Sequence, residues 1–417
     1  MTREQNFLVK REENDILITS LNHSACVGQF IYSMREGIKE GYQEFNIKIM
    51  DDNISVYPNA CVPIASVIEY YKNSNIGFSF ELSGNEYLGH CHFCDPLYLL
   101  PSDIRELDSP FDKIFRYDSF PQVAAYTQKY IDAISQQIVC ERDIIDSLVW
   151  CINEVMDNVL THSQCNCGYV MAQLHTKNKH IALCISDTGM GIFNTLNNST
   201  HHPKDPVQAL FLCIQEGVGD GEGQGNGLFG LHQIIQSNEG SLRITSGPAA
   251  LEFIARNDPK AYSKLPYLDK NNHGVIIDFQ IDLNKRVNLT SIFATIGGFD
   301  SFDKRLDDMV QENDSLLYDV FDNTPGTATR EAGRLLRNDI RNIIVRTNAP
   351  MVLDFSKVKT VSSSFIDELI AKLVLDFGFV RFNQIITIKG MNETVMHLCN
   401  RSVYMRIYEE WSNRYSV

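Results

Sequence analysis

Glu154-Val-Met-Asp157-Asn158, Asp187-Thr-Gly189-Met-Gly191 and Gly223-Gln-Gly225-Asn-Gly227-Leu-Phe-Gly230-Leu231 follow one another in the middle of a 417-residue chain. Each lies at the edge of an expected regular element. The first sits on a helix expected from about 142 to 162, where Ile145, Leu148, Ile152, Val155, Met156 and Val159 share an apolar face. Glu154 and Asn158 stand one turn apart at the margin of that face, with Asp157 further out. The second pattern is entered from a strand expected over 180–186, paired with another over 168–175. The third runs into a helix expected over 228–237, with Gly240 as its C-terminal cap.

This order suits a nucleotide. A triphosphate needs its charge met by a metal ion and backbone N–H groups, and an activated water or hydroxyl beside its last phosphate. The amide oxygen of Asn158 can hold Mg²⁺, a hard cation that keeps several waters. Glu154 would polarise the attacking group as general base. Asp187, at a strand end, can accept a hydrogen bond from the exocyclic amine of adenine, while Gly189 and Gly191 let backbone pass close to the base. Gly223, Gly225 and Gly227 lead to a helix N-terminus at Leu228, where free N–H groups favour phosphate. The glycines from 217 to 223 fit a nucleotide lid within 192–224. Asp157 is read as solvated or supporting, and His162 as structural.

The three patterns resemble the GHKL ATPase domain of gyrase, Hsp90-type chaperones, histidine kinases and MutL, over roughly 125–285. Glu154 and Asn158 match its N box, Asp187 to Gly191 its first glycine box, and Gly225 to Leu231 its second. Two positions depart: Phe229 is an extra residue before Gly230, and Gly274-Val275 stands where the family often has Gly-Thr. Further on, Val352-Leu-Asp-Phe-Ser-Lys-Val358 and Val361-Ser-Ser-Ser-Phe-Ile-Asp-Glu-Leu369 resemble a STAS-like domain, as in anti-sigma factor antagonists, over about 290–410. In those antagonists a GHKL kinase phosphorylates a serine at this turn. The resemblance offers Ser363 and Ser364 as phosphoacceptors; an unmodified helix N-cap is the plainer role.

The fold class expected is therefore α/β and α+β multidomain: a central α/β sandwich of the GHKL ATPase type flanked by small STAS-like βα domains. An N-terminal βα domain with linker is expected over 1–120, the ATP-binding domain over 121–285 and the C-terminal STAS-like domain over 286–417. The N-terminal part alternates strand and helix from 15 to 82, in an order that the C-terminal part repeats from 329 to 398. Residues 83–120, rich in Pro, Gly and Asp, read as loop and linker.

Composition narrows the partners. A formal charge of −15 makes nucleic acid a poor default, because duplex binding relies on Lys and Arg to neutralise phosphates. No apolar run reaches the ~20 residues of a membrane span, and the charged start MTREQNFLVKREEND lacks a signal-peptide core. Eleven cysteines without framework spacing suit reduced thiols, so a cytoplasmic protein is expected. His90-Cys91-His92-Phe-Cys94-Asp95 and His162/Cys165/Cys167 each fall short of a closed four-ligand zinc pattern.

Residues 121–140 contain no histidine, which removes the phosphoacceptor helix of a histidine kinase. What remains is a regulatory switch that binds ATP and Mg, acting as a slow ATPase or as an anti-sigma-like serine kinase. Its partners would be a regulatory protein or its own STAS-like domains, with homodimerisation left open. The alternative is a non-catalytic interaction module with a degenerate nucleotide site.

Overall fold

The computed structural model describes residues 7–50, 54–82, 84–219, 226–255, 257–292, 306, 309–311, 315–324 and 326–415. The chain forms two compact units, residues 1–129 with 150–297 and residues 130–149 with 298–417. The division passes through two helices described below.

The first unit begins with a four-stranded sheet in the order β1 (Val9–Glu12), β2 (Asp15–Ile18), β3 (Glu44–Ile49), β4 (Gly77–Glu81). β1 pairs antiparallel with β2, and β2, β3 and β4 run parallel. The crossovers are α1 (Ala25–Lys39) and α2 (Pro58–Asn73). α2 is buried on nearly every side, as its sequence PNACVPIASVI requires. One side meets the small sheet; another lies across strands of the central sheet, where Tyr169, Met171 and Cys184 join the same apolar core.

Residues 84–120, expected as loop and linker, carry regular elements instead. They form α3 (Glu86–His90), β5 (Leu97–Tyr98), α4 (Pro101–Glu106) and β6 (Phe115–Tyr117), and bury Phe93, Ile104, Ile114, Phe115 and Tyr117. Their apolar residues are spaced too irregularly, among turn formers, to read as regular elements. β5 and β6 extend the edge of an eight-stranded sheet.

Two helices follow, α5 (Phe120–Gln137) and α6 (Ile144–His162), then β7 (Gly168–His175) and β8 (His180–Asp187). α7 (Gly191–Asn197), α8 (Pro206–Cys213) and α9 (Gly227–Asn238) precede β9 (Ser241–Ser246), β10 (Ala249–Ile254), β11 (Lys260–Tyr262) and β12 (Val275–Asp282). The sheet order is β11-β10-β9-β12-β8-β7-β6-β5. The pleat sends alternate residues to opposite faces: Leu183, Ile185, Ile277 and Phe279 are buried on one, while Met171, Cys184 and Ile276 meet the α2 core on the other. At the end of α9 the left-handed residue is Glu239, with φ 57°, and not Gly240. Glycine is needed at 240 for space, since a Cβ there would lie 2.1 Å from the Gln280 carbonyl oxygen.

In the second unit, β13 (Leu316–Asp319), β14 (Met351–Asp354) and β15 (Ile386–Lys389) form a parallel sheet in sequential order. β13 falls on a short stretch with no expected strand. Helix Arg330–Thr347 connects β13 to β14, and a helical path from Ser363 to Phe377, π-helical over Asp367–Ala371, returns toward β15. The last helix, expected only over 394–398, spans Glu393–Tyr415. Among the described residues, no helix is long and apolar enough to cross a membrane.

Candidate functional site

α6 owes its position partly to the segment that looked like linker. The Tyr117 hydroxyl donates to the Met156 carbonyl at 3.3 Å, and its ring occupies the space a Cβ on Gly168 would need. On the other side, Thr127 Oγ1 of α5 donates to Asn153 Oδ1 at 2.7 Å. Glu154 and Asn158 therefore project from a helix clamped on two sides. Burial raises the pKa of Glu154, while its hydrogen bond with Asn158 and the nearby His162 pull it back. Asp157 is pushed up to about 6 by burial and by the charge of Glu154.

Gly227 lies against this pair. A Cβ on Gly227 would come within 2.0 Å of Glu154 Oε1, so any larger residue in the first turn of α9 would push the Glu154 side chain from this place. Asn226, the residue before α9, accepts at its Oδ1 from the Gly217 amide at 3.0 Å and makes no side-chain cap to its own helix. Among the described residues, the first N–H groups of α9, through Leu228, have no side-chain acceptor. Gly223 and Gly225 lie outside the described residues, as does the part of the expected lid from 220 to 224. The described part of that lid is α7, α8 and their connections.

Asp187 closes β8 on the same face of the sheet as Leu183 and Ile185. It is 4% exposed, and Oδ1 accepts the Gly189 amide at 2.8 Å. Val275, in register across the strand pair, adds a second backbone N–H. Burial still dominates and pushes the carboxyl up to about 7. Gly189 passes the end of α6, where a Cβ would fall 2.0 Å from the Ser163 carbonyl oxygen and Met190 N donates to that oxygen at 2.8 Å. Gly191 has φ +78°, and Ile192 N donates to Ser246 Oγ at 2.9 Å. The turn from β8 to α7 is thereby tied to the ends of both α6 and β9.

Residues that sequence reading passed over also border this turn. A polar cleft of about 380 Å³ beside Gly189 and Met190 is lined by Gln164, Asn194, Asn197, Lys270 and Asn272. Asn194 Nδ2 donates to the Met190 carbonyl at 2.8 Å. Asp269 folds Lys270–Asn272 back by accepting the Asn271 and Asn272 amides at 2.8 and 3.0 Å. In sequence this stretch reads only as a polar turn far from the glycine patterns.

Residues 120–242 match the family model of the histidine kinase-like ATPase domain. The match spans Glu154, Asn158, Asp187 and the glycines through Gly230, and stops before Val275 and Lys270. The ATPase-like domain is followed by a second match, residues 332–396, to a STAS-like domain of unknown function. No curated protein matches the chain.

In the STAS-like segment the helix at the serine turn is capped by Ser362, not by Ser363 or Ser364. Ser362 Oγ accepts the Phe365 amide at 3.0 Å and bonds Ser364 Oγ at 3.0 Å. Ser363 is exposed. Beside both serines is a cleft of about 340 Å³ carrying Arg330, Arg401 and Arg406. Arg406 is held by Asp367 through two bonds of 2.6 and 2.7 Å.

The first cysteine cluster lies elsewhere, whereas the second adjoins the end of α6, where the Ser163 carbonyl accepts the Met190 amide. Cys91 is buried with its thiol donating to the Leu88 carbonyl at 3.4 Å, and Cys165 bonds Ser163 Oγ at 3.0 Å. Among the described residues no group of three or more His, Cys, Asp or Glu side chains is placed to hold a metal ion.

Proposed function

We propose that the chain is an Mg-ATP-binding regulatory protein whose ATPase-like site works as a conformational switch, with slow hydrolysis or serine phosphorylation of a STAS-like partner. The observation that carries this reading is the contact of Gly227 with Glu154. It brings a helix N-terminus without a side-chain cap next to a half-buried carboxylate and an amide. The residues present suit the ligand. Asp187 keeps acceptor capacity after its two backbone bonds, enough to receive the adenine amine. The amide oxygen of Asn158 is of the hard type that Mg²⁺ takes, and the ion would neutralise charge on the phosphates.

The chain's own work is then positional and acid–base. Glu154, held by Asn158 and with its pKa raised by burial, accepts a proton from a water or hydroxyl at the end of the phosphate chain. The N–H groups of Gly227 and Leu228 face phosphate charge that no side chain satisfies in advance. For phosphotransfer, Ser363 is the more available acceptor, because Ser364 is already bonded to Ser362. A phosphate on Ser363 would have Arg330 and Arg401 in the same cleft. The partner is a regulatory protein bearing such a turn, a second copy, or the chain's own STAS-like segment.

Full-length protein incubated with Mg²⁺ and γ-labelled ATP tests the proposal. Released phosphate supports hydrolysis, and label on protein that is lost in Ser363→Ala supports phosphotransfer. Asn158→Ala should remove metal-dependent turnover, and Gly227→Ala should displace Glu154 and do the same. Absence of nucleotide binding in the intact protein would leave the non-catalytic interaction module as the reading.

A further inference from the structure

The central sheet has a second face, and part of it is not filled. Between that face and the N-terminal module lies a cavity of about 770 Å³, within the usual range of roughly 300–1,000 Å³ for small-molecule sites. Its floor is one face of three neighbouring strands, where Arg243 and Thr245 of β9 stand in register with Asp278 and Ile276 of β12, and Glu252 of β10 with Arg243. α1 and α2 supply walls that include Ile31, Pro63 and Val67. The segment 262–268 borders it, and is pinned to α1 by Arg35. The Arg35 guanidinium donates to the Tyr267 carbonyl at 3.0 Å and lies 5.6 Å from the ring centre.

The charges in the cavity are unequally satisfied. Arg243 is largely committed: it donates to Glu252 at 3.0 Å and lies 4.8 Å from the Tyr262 ring centre, leaving its buried Nε without a partner among the described residues, while the Tyr262 hydroxyl donates to the same Glu252 at 3.0 Å. Asp278 has a hydrogen bond from Asn59 Nδ2, at 3.0 Å, and none of the ion pairs among the described residues involves it. A carboxylate offers about four lone-pair sites. Enclosed carboxylates with so few partners are costly to keep charged, and burial pushes this one up to about 6, against the opposing pull of Asn59 and Arg243.

We infer that this cavity is a binding site for a small organic cation, a primary amine or amidine whose N–H groups meet Asp278 and whose apolar body packs on Ile31, Val67 and Ile276. The apolar walls favour a hydrocarbon or aromatic body, and the sheet floor fixes where its charged end must lie. The same cavity reaches Ser186, Asp187 and Thr188 at the end of β8, and Ser186 Oγ is bonded to Ser66 of α2 at 3.1 Å. An occupant would therefore bias the strand end that carries Asp187; this coupling, unlike the binding itself, rests on the nucleotide reading.

Calorimetric titration of the full chain with tryptamine, and with tryptophol as its neutral counterpart, tests the site without nucleotide. Saturable binding of tryptamine is expected, about tenfold or more tighter than tryptophol, and lost in Asp278→Asn. Thermal melting should show that this variant folds. Thr245→Phe, which narrows the cavity and keeps the carboxylate, should also abolish binding. Equal binding of both probes, unchanged binding in folded Asp278→Asn, or no binding of tryptamine overturns the inference. A second titration with ATP reads the coupling: bound tryptamine with no ATP binding sinks the nucleotide reading and leaves the cavity site standing.

Discussion

Two sets of three parallel strands, β2-β3-β4 within the four-stranded N-terminal sheet and β13-β14-β15, are built alike and attached differently. Both take their strands in sequential order with helices between them. The N-terminal one joins its unit chiefly through apolar surface: α2 buries Cys61, Ile64, Ala65 and Ile68 in one core with Tyr169, Met171 and Cys184, and bonds such as Ser66–Ser186 and Asn59–Asp278 stand beside that core. The C-terminal one joins its unit through polar groups. Asn342 Nδ2 donates to the Ser135 and Ile138 carbonyls at 3.0 and 2.8 Å, and its Oδ1 accepts the Cys140 amide at 3.0 Å. Asn338 and Arg334 each donate to the Gln137 carbonyl at 2.9 Å, and Arg346 pairs with Asp146 at 2.6 Å. Apolar burial is non-directional and tolerates sliding; a fully bonded amide fixes one register. The second attachment thus holds the connection between α5 and α6, the helix that carries Glu154, by specific contacts that a regulatory change could break one at a time.

Acids in the two units differ too, and pH separates them most strongly. Asp187 and Asp278 are raised to about 7 and about 6 by burial. Between about pH 4, where the unfolded carboxyls ionise, and pH 7, the native state holds more protons than the unfolded one, so their contribution to stability falls as pH rises. For Asp187 alone the loss is on the order of 4 kcal/mol. Asp367 in the second unit is lowered by Arg406, with burial opposing. Its contribution is present above the usual carboxylate pKa and is lost as pH falls through its lowered one. Hydrogen exchange across pH 4–8 should show the central sheet becoming less protected as pH rises while the segment around Asp367 holds. A uniform response in both would break the contrast. Asp187→Asn should flatten the response of the sheet.

Met171→Ala comes next. It empties space beside Cys61, whose thiol lies 3.4 Å from the Met171 sulfur, and should cost about 2–5 kcal/mol in denaturant unfolding. Asn342→Ala strands the Ser135 and Ile138 carbonyls and the Cys140 amide, for about 1–3 kcal/mol, with exchange rising first at 135–140. A loss no larger than that of an exposed substitution would show that these bonds do not hold the connection. Arg346→Met is the smallest: the pair with Asp146 is partly exposed, and about 0–1 kcal/mol is expected. Its useful readout is turnover, which should change if the connection communicates with Glu154.

Legibility followed periodicity. α6 carries a helical repeat and β7 and β8 are apolar runs buried on both faces, and the patterns beside them and before α9 put Glu154 and Asn158 on a helix, Asp187 at a strand end and Gly227 at a helix start. β5 and β6 are two and three residues long, too short to show a period, so Tyr117 and its support of α6 stayed hidden in what read as linker. The capping serine was off by one because Ser362, Ser363 and Ser364 are chemically identical, and only the backbone turn selects among them. Asn338 and Asn342 sit on the buried side of a strongly amphipathic helix, a signal that a partner exists but not which one.

The sequence by itself determined the local chemistry: a carboxylate and an amide one turn apart on a helix, an acid at a strand end, and glycines where backbone must pass closely. Those follow from spacing and from the absence of a Cβ, which need no knowledge of distant residues. Only the tertiary structure decided that α2 covers the second face of the central sheet, that Asp278 is enclosed beneath it with little to bond, and that Asn342 ties the α5–α6 connection. These depend on which surfaces meet across more than a hundred residues of chain, and burial, not composition, sets the energy of each.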